Sequence, residues 1–158
     1  MLFAAKVNTR LGMVDEGTSL FDYEPEELKR RKTLSASLHH FRWQKCDVNI
    51  IDTPGDANFA AEVKSSLQVV DTAIVLIDAV SGVQVQTEKV WGYAADNALP
   101  RLIFINKMEM ERATFTQTLK GIEEILGIKP LVLQMPIGEG ASFRGVVDLV
   151  TMKAVLFS

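Results

Sequence analysis

Two short stretches of the chain place polar side chains directly after an apolar run, where binding chemistry is often found. In the first, Asp52 ends the run 48–51 and is followed by the turn residues Thr53, Pro54 and Gly55. Ligands of an open α/β sheet bind outside the carboxyl ends of its strands, so a carboxylate fixed there could meet a metal ion or a phosphate. The same residues also suit an ordinary loop between a strand and a helix, because they form turns and cap helices. This stretch alone leaves both interpretations open.

The second stretch has the same design. The apolar run 102–105 ends in Asn106, Lys107, Met108 and Glu109, which again puts polar groups at the end of a predicted strand. If both strands belong to one sheet, their ends lie at the same edge. The two stretches together therefore predict a single binding pocket.

Hydrophobic periodicity predicts the elements that position these residues. Alternating apolar residues at 34–43, followed by a turn into the run 48–51, predict an antiparallel hairpin. Apolar residues at helical spacing predict helices at 57–70, 85–97 and 114–126, with helical character also at 1–12. Further strands are predicted at 72–77, 102–105 and 131–134, and the Gly-rich segment from 136 onward is predicted to be a loop.

Length and composition favour a single globular domain and argue against nucleic-acid-coating and membrane-spanning proteins. A chain of 158 residues, 47% of them apolar, has the size of one domain and can form a core. The net charge of −3 argues against a protein that coats nucleic acid by bulk charge, although the basic run 29–32 forms a local patch. The single cysteine, Cys46, cannot form an internal disulfide, which suits a reducing cytosol. No apolar run approaches the roughly 18 residues that a membrane span needs.

Several conspicuous side chains are interpreted as structural. His39 and His40 are predicted to be surface residues of a strand rather than metal ligands, because no metal-binding cluster accompanies them. Trp91 and Phe115 are predicted to pack in the core, and Asp78 is predicted to hold the loop that follows its strand.

Five stretches resemble the nucleotide-binding domain of the elongation factor G family of ribosomal GTPases. They are RLGMVDEGTSLFDYEPEE, VNIIDTPGD, DAVSGVQVQTEKVW, PRLIFINKME and LQMPIGEGASFRGVVDLVTMKA, and together they span nearly the whole chain. The resemblance implies an α/β fold with a doubly wound, mostly parallel sheet and one antiparallel hairpin, like that of P-loop NTPases. It also implies that residues 1–136 are a partial GTP-binding domain and that 137–158 begin an insertion within it.

Two parts that the family requires are missing from the sequence. No Lys-Ser or Lys-Thr pair fits the phosphate-binding signature G-x-x-x-x-G-K-[ST], so we expect that loop and the first strand to lie upstream of Met1. The family's last nucleotide motif, a Ser-Ala turn, is also absent. Without the phosphate cradle, we expect the isolated chain to bind GTP poorly.

The resemblance assigns a role to each motif residue, with GTP and Mg²⁺ as the implied ligands. Thr33, at the end of a first switch region at 15–32, and Asp52 would hold the magnesium ion. Gly55 would donate its amide to the γ-phosphate, while Asn106, Lys107 and Glu109 would hold the guanine. The full set of implied GTP-binding residues is Asp52, Thr53, Pro54, Gly55, Asp56, Asn106, Lys107, Met108 and Glu109.

The chain departs from the family at two of these positions. Glu109 stands where the family has aspartate, which keeps the carboxylate on a longer stem, and we expect guanine preference to survive in a weakened form. Asp56 stands where the family has the histidine that orients the attacking water, and a carboxylate there would repel the phosphate oxygens. Asp56 is thus either the catalytic residue of an impaired site or a cap for the helix predicted after it.

The resemblance implies that the chain is part of an elongation factor G-like GTPase. That GTPase would act on the ribosome in the cytoplasm and would not bind a membrane. The basic run 29–32 is either a solvated turn or a contact to ribosomal RNA phosphates. The alternative is a binding module that keeps the sheet but has lost nucleotide binding.

Overall fold

The computed structural model describes residues 1–13 and 16–157, which form two compact units, Met1–Val70 and Asp71–Ser158. The predicted switch region therefore begins outside the described residues, at Asp15, and the predicted insertion ends outside them, at Ser158. The fold is α/β, as predicted, with a parallel pair of strands and antiparallel sheets.

The first unit is built on an antiparallel hairpin. Helix α1 (Pro25–Arg30) precedes the strands β1 (Ser37–Trp43) and β2 (Cys46–Asp52), and a 3-10 turn (Ala57–Phe59) leads into helix α2 (Ala60–Ser66). The register pairs Leu38 with Ile51 and Phe41 with Val48, and Gln44 makes the turn with a φ of 47°. The predicted hairpin is confirmed, while the predicted helix 57–70 is shorter and begins as a 3-10 turn.

The helix predicted at 1–12 is wrong. Residues 2–6 form turns, in one of which the Ala5 amide donates to the Met1 carbonyl at 3.0 Å, and residues 7–13 are neither helix nor strand. Lys6 has a φ of 59°, a left-handed conformation that interrupts an α-helix. The apolar spacing of this segment therefore does not produce a continuous helix.

The second unit is built on a parallel pair. Strand β3 (Ala73–Asp78) pairs with β4 (Arg101–Asn106), and helices α3 (Val85–Asp96) and α4 (Phe115–Leu126) follow β3 and β4. Both helices match their predicted bounds to within one residue, and α4 ends at Gly127, whose φ of 64° is a common helix stop. The core of this unit contains Val75, Ile77 and Ile122.

The opposite side of the parallel pair is apolar and exposed. Alternate residues of a strand point to opposite faces, so the face that does not carry Val75 and Ile77 carries large side chains of its own. These are Ile74, Leu76, Leu102 and Phe104, which are 48% to 62% exposed.

The segment after 133 is a three-stranded antiparallel sheet rather than the predicted loop. Its strands are β5 (Gln134–Ile137), β6 (Gly145–Asp148) and β7 (Lys153–Leu156), so the strand predicted at 131–134 begins only at Gln134. Glycine is needed at the start of β6, because a Cβ on Gly145 would lie 2.2 Å from the Val155 carbonyl oxygen. Gly145 therefore permits close strand pairing, whereas Gly138 and Gly140, with φ of 80° and 57°, lie in the connection between β5 and β6.

Candidate functional site

The first candidate site surrounds Asp52, the last residue of β2. Its carboxylate is half-buried, and burial raises its pKa. The neighbouring carboxylates of Asp22 and Glu27 raise that pKa further. A backbone hydrogen bond from Thr53 lowers it, but the net shift is upward. Negative charge thus accumulates around Asp52, as expected for a place that accommodates a cation.

Thr33 joins this neighbourhood through Asp22. The Thr33 hydroxyl donates to Oδ1 of Asp22 at 2.7 Å, and Asp22 is buried, with 6% of its surface exposed. Since Asp22 also acts on the pKa of Asp52, the two predicted metal ligands share one acidic neighbour. The sequence did not single out Asp22.

The residues present fit a magnesium ion that is completed by a nucleotide. Within residues 1–13 and 16–157, no group of three or more His, Cys, Asp or Glu side chains could hold a metal by itself. Mg²⁺ usually takes one or two protein carboxylates and fills its remaining positions with water and substrate phosphates. Asp52 and Thr33, beside the charge of Asp22, could supply the protein's share.

Glu27 is the second residue that the sequence did not single out. It lies in α1, is 1% exposed, and receives backbone hydrogen bonds from the loop that follows Thr33. Burial alone would raise its pKa, but backbone N–H donors, led by those of Leu34 and Ser35, outweigh burial and lower it. The sequence signal for Glu27 was its spacing from Glu24, because the N-cap residue and the third residue of a helix can bond reciprocally in a capping box.

The turn after β2 shows the capping role of Asp56, whereas its catalytic role stays a prediction. Its Oδ1 accepts a hydrogen bond from the Asn58 amide at 3.0 Å, so Asp56 caps the 3-10 turn as the second interpretation predicted. Pro54 is buried, while Gly55 is exposed and has open space where a Cβ would stand. A ligand could therefore approach the Gly55 backbone closely.

The second candidate site follows β4. Asn106 accepts a hydrogen bond at Oδ1 from the Lys107 amide at 2.9 Å, and Lys107 has a φ of 61°. This left-handed residue turns the chain sharply, so that Met108 packs into a small core with Ala79 and Ala113. Met108 is thus an anchor of the motif, and Glu109 remains exposed.

Lys107 is held by an ion pair with Asp78. Its Nζ lies 2.8 Å from Oδ2 of Asp78, whose Oδ1 accepts from the amides of Val80 and Ser81. The Lys107 side chain and these amides lower the pKa of Asp78 to about 2. The predicted loop-holding role of Asp78 is confirmed. The ion pair was missed, although β3 and β4 place Asp78 opposite Asn106.

The remaining predictions concern side chains outside the two sites. Trp91 and Phe115 pack against the cores of the second unit, as predicted. His39 lies in β1, with Nε2 3.1 Å from the Leu20 carbonyl oxygen and its ring edge-on to Phe21. No helix among the described residues is both long and apolar enough to cross a membrane.

Each half of the predicted site is built within its own unit. Thr33, Asp52 and the turn to Asp56 belong to the first unit, and Asn106 to Glu109 belong to the second. Their convergence on one pocket stays a prediction.

Residues 1–156 match the family model described as the elongation factor Tu GTP binding domain. A similar curated protein is elongation factor G 2 of Borreliella burgdorferi, which is 44% identical over 149 residues, covering 94% of this chain and 22% of that protein. A crystal structure from Thermus thermophilus superposes with a TM-score of 0.91 at 29% identity, covering 99% of this chain and 24% of the other. The chain therefore spans about a quarter of the length of these relatives.

Proposed function

Because the chain belongs to the elongation factor Tu GTP-binding domain family, we propose that it forms part of an elongation factor G-like GTPase that works on the ribosome in the cytoplasm. The observation that carries the proposal is the accumulation of acidic side chains around Asp52, at the end of a strand and directly before the Thr-Pro-Gly turn. The similarity to elongation factor G 2 supports the ribosome as partner.

In this proposal the first site handles the phosphate end of the nucleotide. Asp52 and Thr33 would hold Mg²⁺, whose positive charge would offset that of the phosphates. Gly55 offers its backbone amide in the open space beside the turn. Thr53 and the buried Pro54 fix the direction of this turn.

The second site handles the guanine. Asn106 and Lys107 orient the base, and the ion pair with Asp78 holds the lysine side chain in place. Glu109 presents its carboxylate to the two paired donors of guanine. Because glutamate has one more rotatable bond than aspartate, this contact costs more entropy and weakens the preference for guanine.

Hydrolysis is the part of the function that Asp56 affects. Oδ1 of its carboxylate accepts a hydrogen bond from the Asn58 amide, which restrains the side chain and leaves it less free to orient a water molecule. We propose that hydrolysis is slow in the whole protein until the ribosome assists. An Asp56→His variant of the whole protein should turn over GTP faster on ribosomes, and unchanged turnover would contradict a catalytic deficit.

The contact with ribosomal RNA is assigned to the basic end of α1. Lys29 and Lys32 are exposed, whereas Arg30 pairs with Glu26 at 3.2 Å. Exposed ammonium groups at a helix end suit phosphate contacts whose strength falls with salt.

We also propose that residues 137–158 begin an insertion within the GTP-binding domain, although β5 crosses the boundary at 137.

A titration of the chain with GDP and with ADP, followed by NMR, tests the proposal. GDP should shift the amide signals of Asn106, Lys107 and Glu109 with a Kd on the order of 1 mM, and ADP should shift them less. Asn106→Ala should abolish the difference, and Asn97→Ala, at the end of α3, is the matched control. Identical responses to GDP and ADP would favour the alternative, a binding module without nucleotide. Micromolar affinity for magnesium-GTP would contradict the expectation of weak binding.

A further inference from the structure

We propose that Glu27 is a positioning residue, which fixes the backbone around Thr33 so that its hydroxyl can meet the cation at Asp52. This inference rests on the proposed function, because it takes Thr33 and Asp52 to be cation ligands. It adds a residue that acts on the cation through Thr33, without touching the cation itself.

The carboxylate of Glu27 connects two segments of the chain. Oε1 accepts hydrogen bonds from the amides of Leu34 at 2.8 Å and Ser35 at 3.1 Å, and Oε2 accepts from the amide of Glu24 at 3.1 Å. The first two amides follow Thr33 directly, and the third precedes α1. One buried side chain therefore holds the loop after Thr33 against the beginning of the helix.

Thr33 is restrained on both sides as a result. The Lys32 amide, just before it, donates to the Glu27 main-chain carbonyl at 3.2 Å, and the Leu34 amide, just after it, donates to the Glu27 side chain. The hydroxyl that remains is directed to Asp22. With its neighbours fixed and its hydroxyl on an acidic group, Thr33 is arranged in advance for a cation.

An amide cannot replace this carboxylate. Both oxygens of Glu27 face N–H donors, so glutamine in either orientation would direct its NH₂ group at a donor. Glu27→Gln keeps the size of the side chain, but it removes the negative charge and replaces one acceptor oxygen with an NH₂ donor. Glu26→Gln is the matched control, because it removes the same charge from the same helix at an exposed residue that pairs with Arg30 on the surface.

Hydrogen exchange on the chain tests the hold on the loop. In the wild type, the amides of Leu34 and Ser35 should be protected although they lie outside helix and strand. In Glu27→Gln their exchange should become about 10- to 100-fold faster, while Glu26→Gln should leave it unchanged. Unprotected amides in the wild type would overturn the proposal without any variant, which covers the case of a variant that does not fold.

Paramagnetic broadening by Mn²⁺, used as the probe, tests the connection to the cation. In the wild type and in Glu26→Gln, Mn²⁺ should broaden the signals of both Thr33 and Thr53. In Glu27→Gln it should still broaden Thr53 and should lose its effect on Thr33, which a purely structural role would not produce.

The outcomes separate the two proposals. Equal broadening of Thr33 in Glu27→Gln and the wild type would overturn the role of Glu27 and leave the cation site intact. No broadening of either threonine in the wild type would overturn the cation site, and with it the purpose assigned to Glu27. In that case the exchange result would still report whether Glu27 holds the loop.

Discussion

The carboxylates that end two strands, Asp52 of β2 and Asp78 of β3, have opposite electrostatic surroundings. At Asp52, burial and two neighbouring carboxylates act together and raise the pKa. At the end of β3, Asp78 has a lysine 2.8 Å away and two backbone donors, and its pKa falls to about 2. The carboxylates around Asp52 carry negative charge that a cation would balance, whereas the charge of Asp78 is already balanced by Lys107.

This difference indicates how each end depends on its ligand. A site that accumulates like charges gains order when a cation arrives, because binding removes a repulsion. A site whose charges are already paired keeps its shape with or without ligand. We therefore expect the Asp52 end to respond strongly to Mg²⁺ and the Asn106 end to be arranged before guanine binds.

The largest test of the comparison is Glu27→Ala, which removes the acceptor at the centre of the first region. Three backbone donors would lose a buried, charged partner, so the first unit should lose about 3 kcal/mol of stability. The fluorescence of Trp43 reports this unit and that of Trp91 the other, which a Trp→Phe change at either position separates. Glu26→Ala should cost almost nothing, and an equal loss in both variants would contradict the role given to Glu27.

A smaller effect is expected in the second region from Asp78→Ala. The variant loses two loop hydrogen bonds and the ion pair with Lys107, for about 1–2 kcal/mol measured by urea unfolding of the second unit. Lys107→Met removes the ion pair alone and should cost less. If Lys107→Met proved the more damaging change, the loop-holding role of Asp78 would be wrong.

The cap at Asp56 should contribute less again. Asp56→Ala removes the acceptor for the Asn58 amide and should destabilise the first unit by about 1 kcal/mol. Asp56→Asn keeps an oxygen in the same place and should stay close to the wild type. A stable alanine variant would show that the cap contributes little to folding.

The smallest effect is a pH dependence at Asp78. Its folded pKa is about 2, below the value of the unfolded chain, so its charge contributes stability above pH 4 that is lost as the pH falls toward 2. Because the pair is partly exposed, the loss should be no more than about 1 kcal/mol. The difference in stability between the wild type and Asp78→Asn should therefore shrink over this range, and a constant difference would contradict the assigned pKa.

The sequence predicted those features that depend on neighbours along the chain. The hairpin, α3, α4 and the cap at Asp56 follow from local periodicity and turn chemistry, and the structure contains all of them. Both strand ends were located for the same reason. The Asp78 partnership could also have been found, because the residues that end two adjacent parallel strands lie opposite each other.

The features that were missed depend on distant contacts or on backbone conformation. Nothing in the pattern around Glu27 indicates that it is buried or that its carboxylate receives the Leu34 and Ser35 amides. The helix predicted at 1–12 failed at the left-handed Lys6, which apolar spacing does not reveal. Glycines at the end of the chain were interpreted as loop signals, although Gly145 is required by a tight strand contact.

The exposed apolar face of the β3–β4 pair should affect the solubility of the protein. This face consists of exposed apolar side chains whose contact with water is unfavourable in free energy. They are Ile74, Leu76, Leu102 and Phe104. Hydrophobic dyes and detergent tails should gather on it, and concentrated samples should become turbid sooner than dilute ones. A mild surfactant is therefore a sensible first additive for keeping the protein in solution.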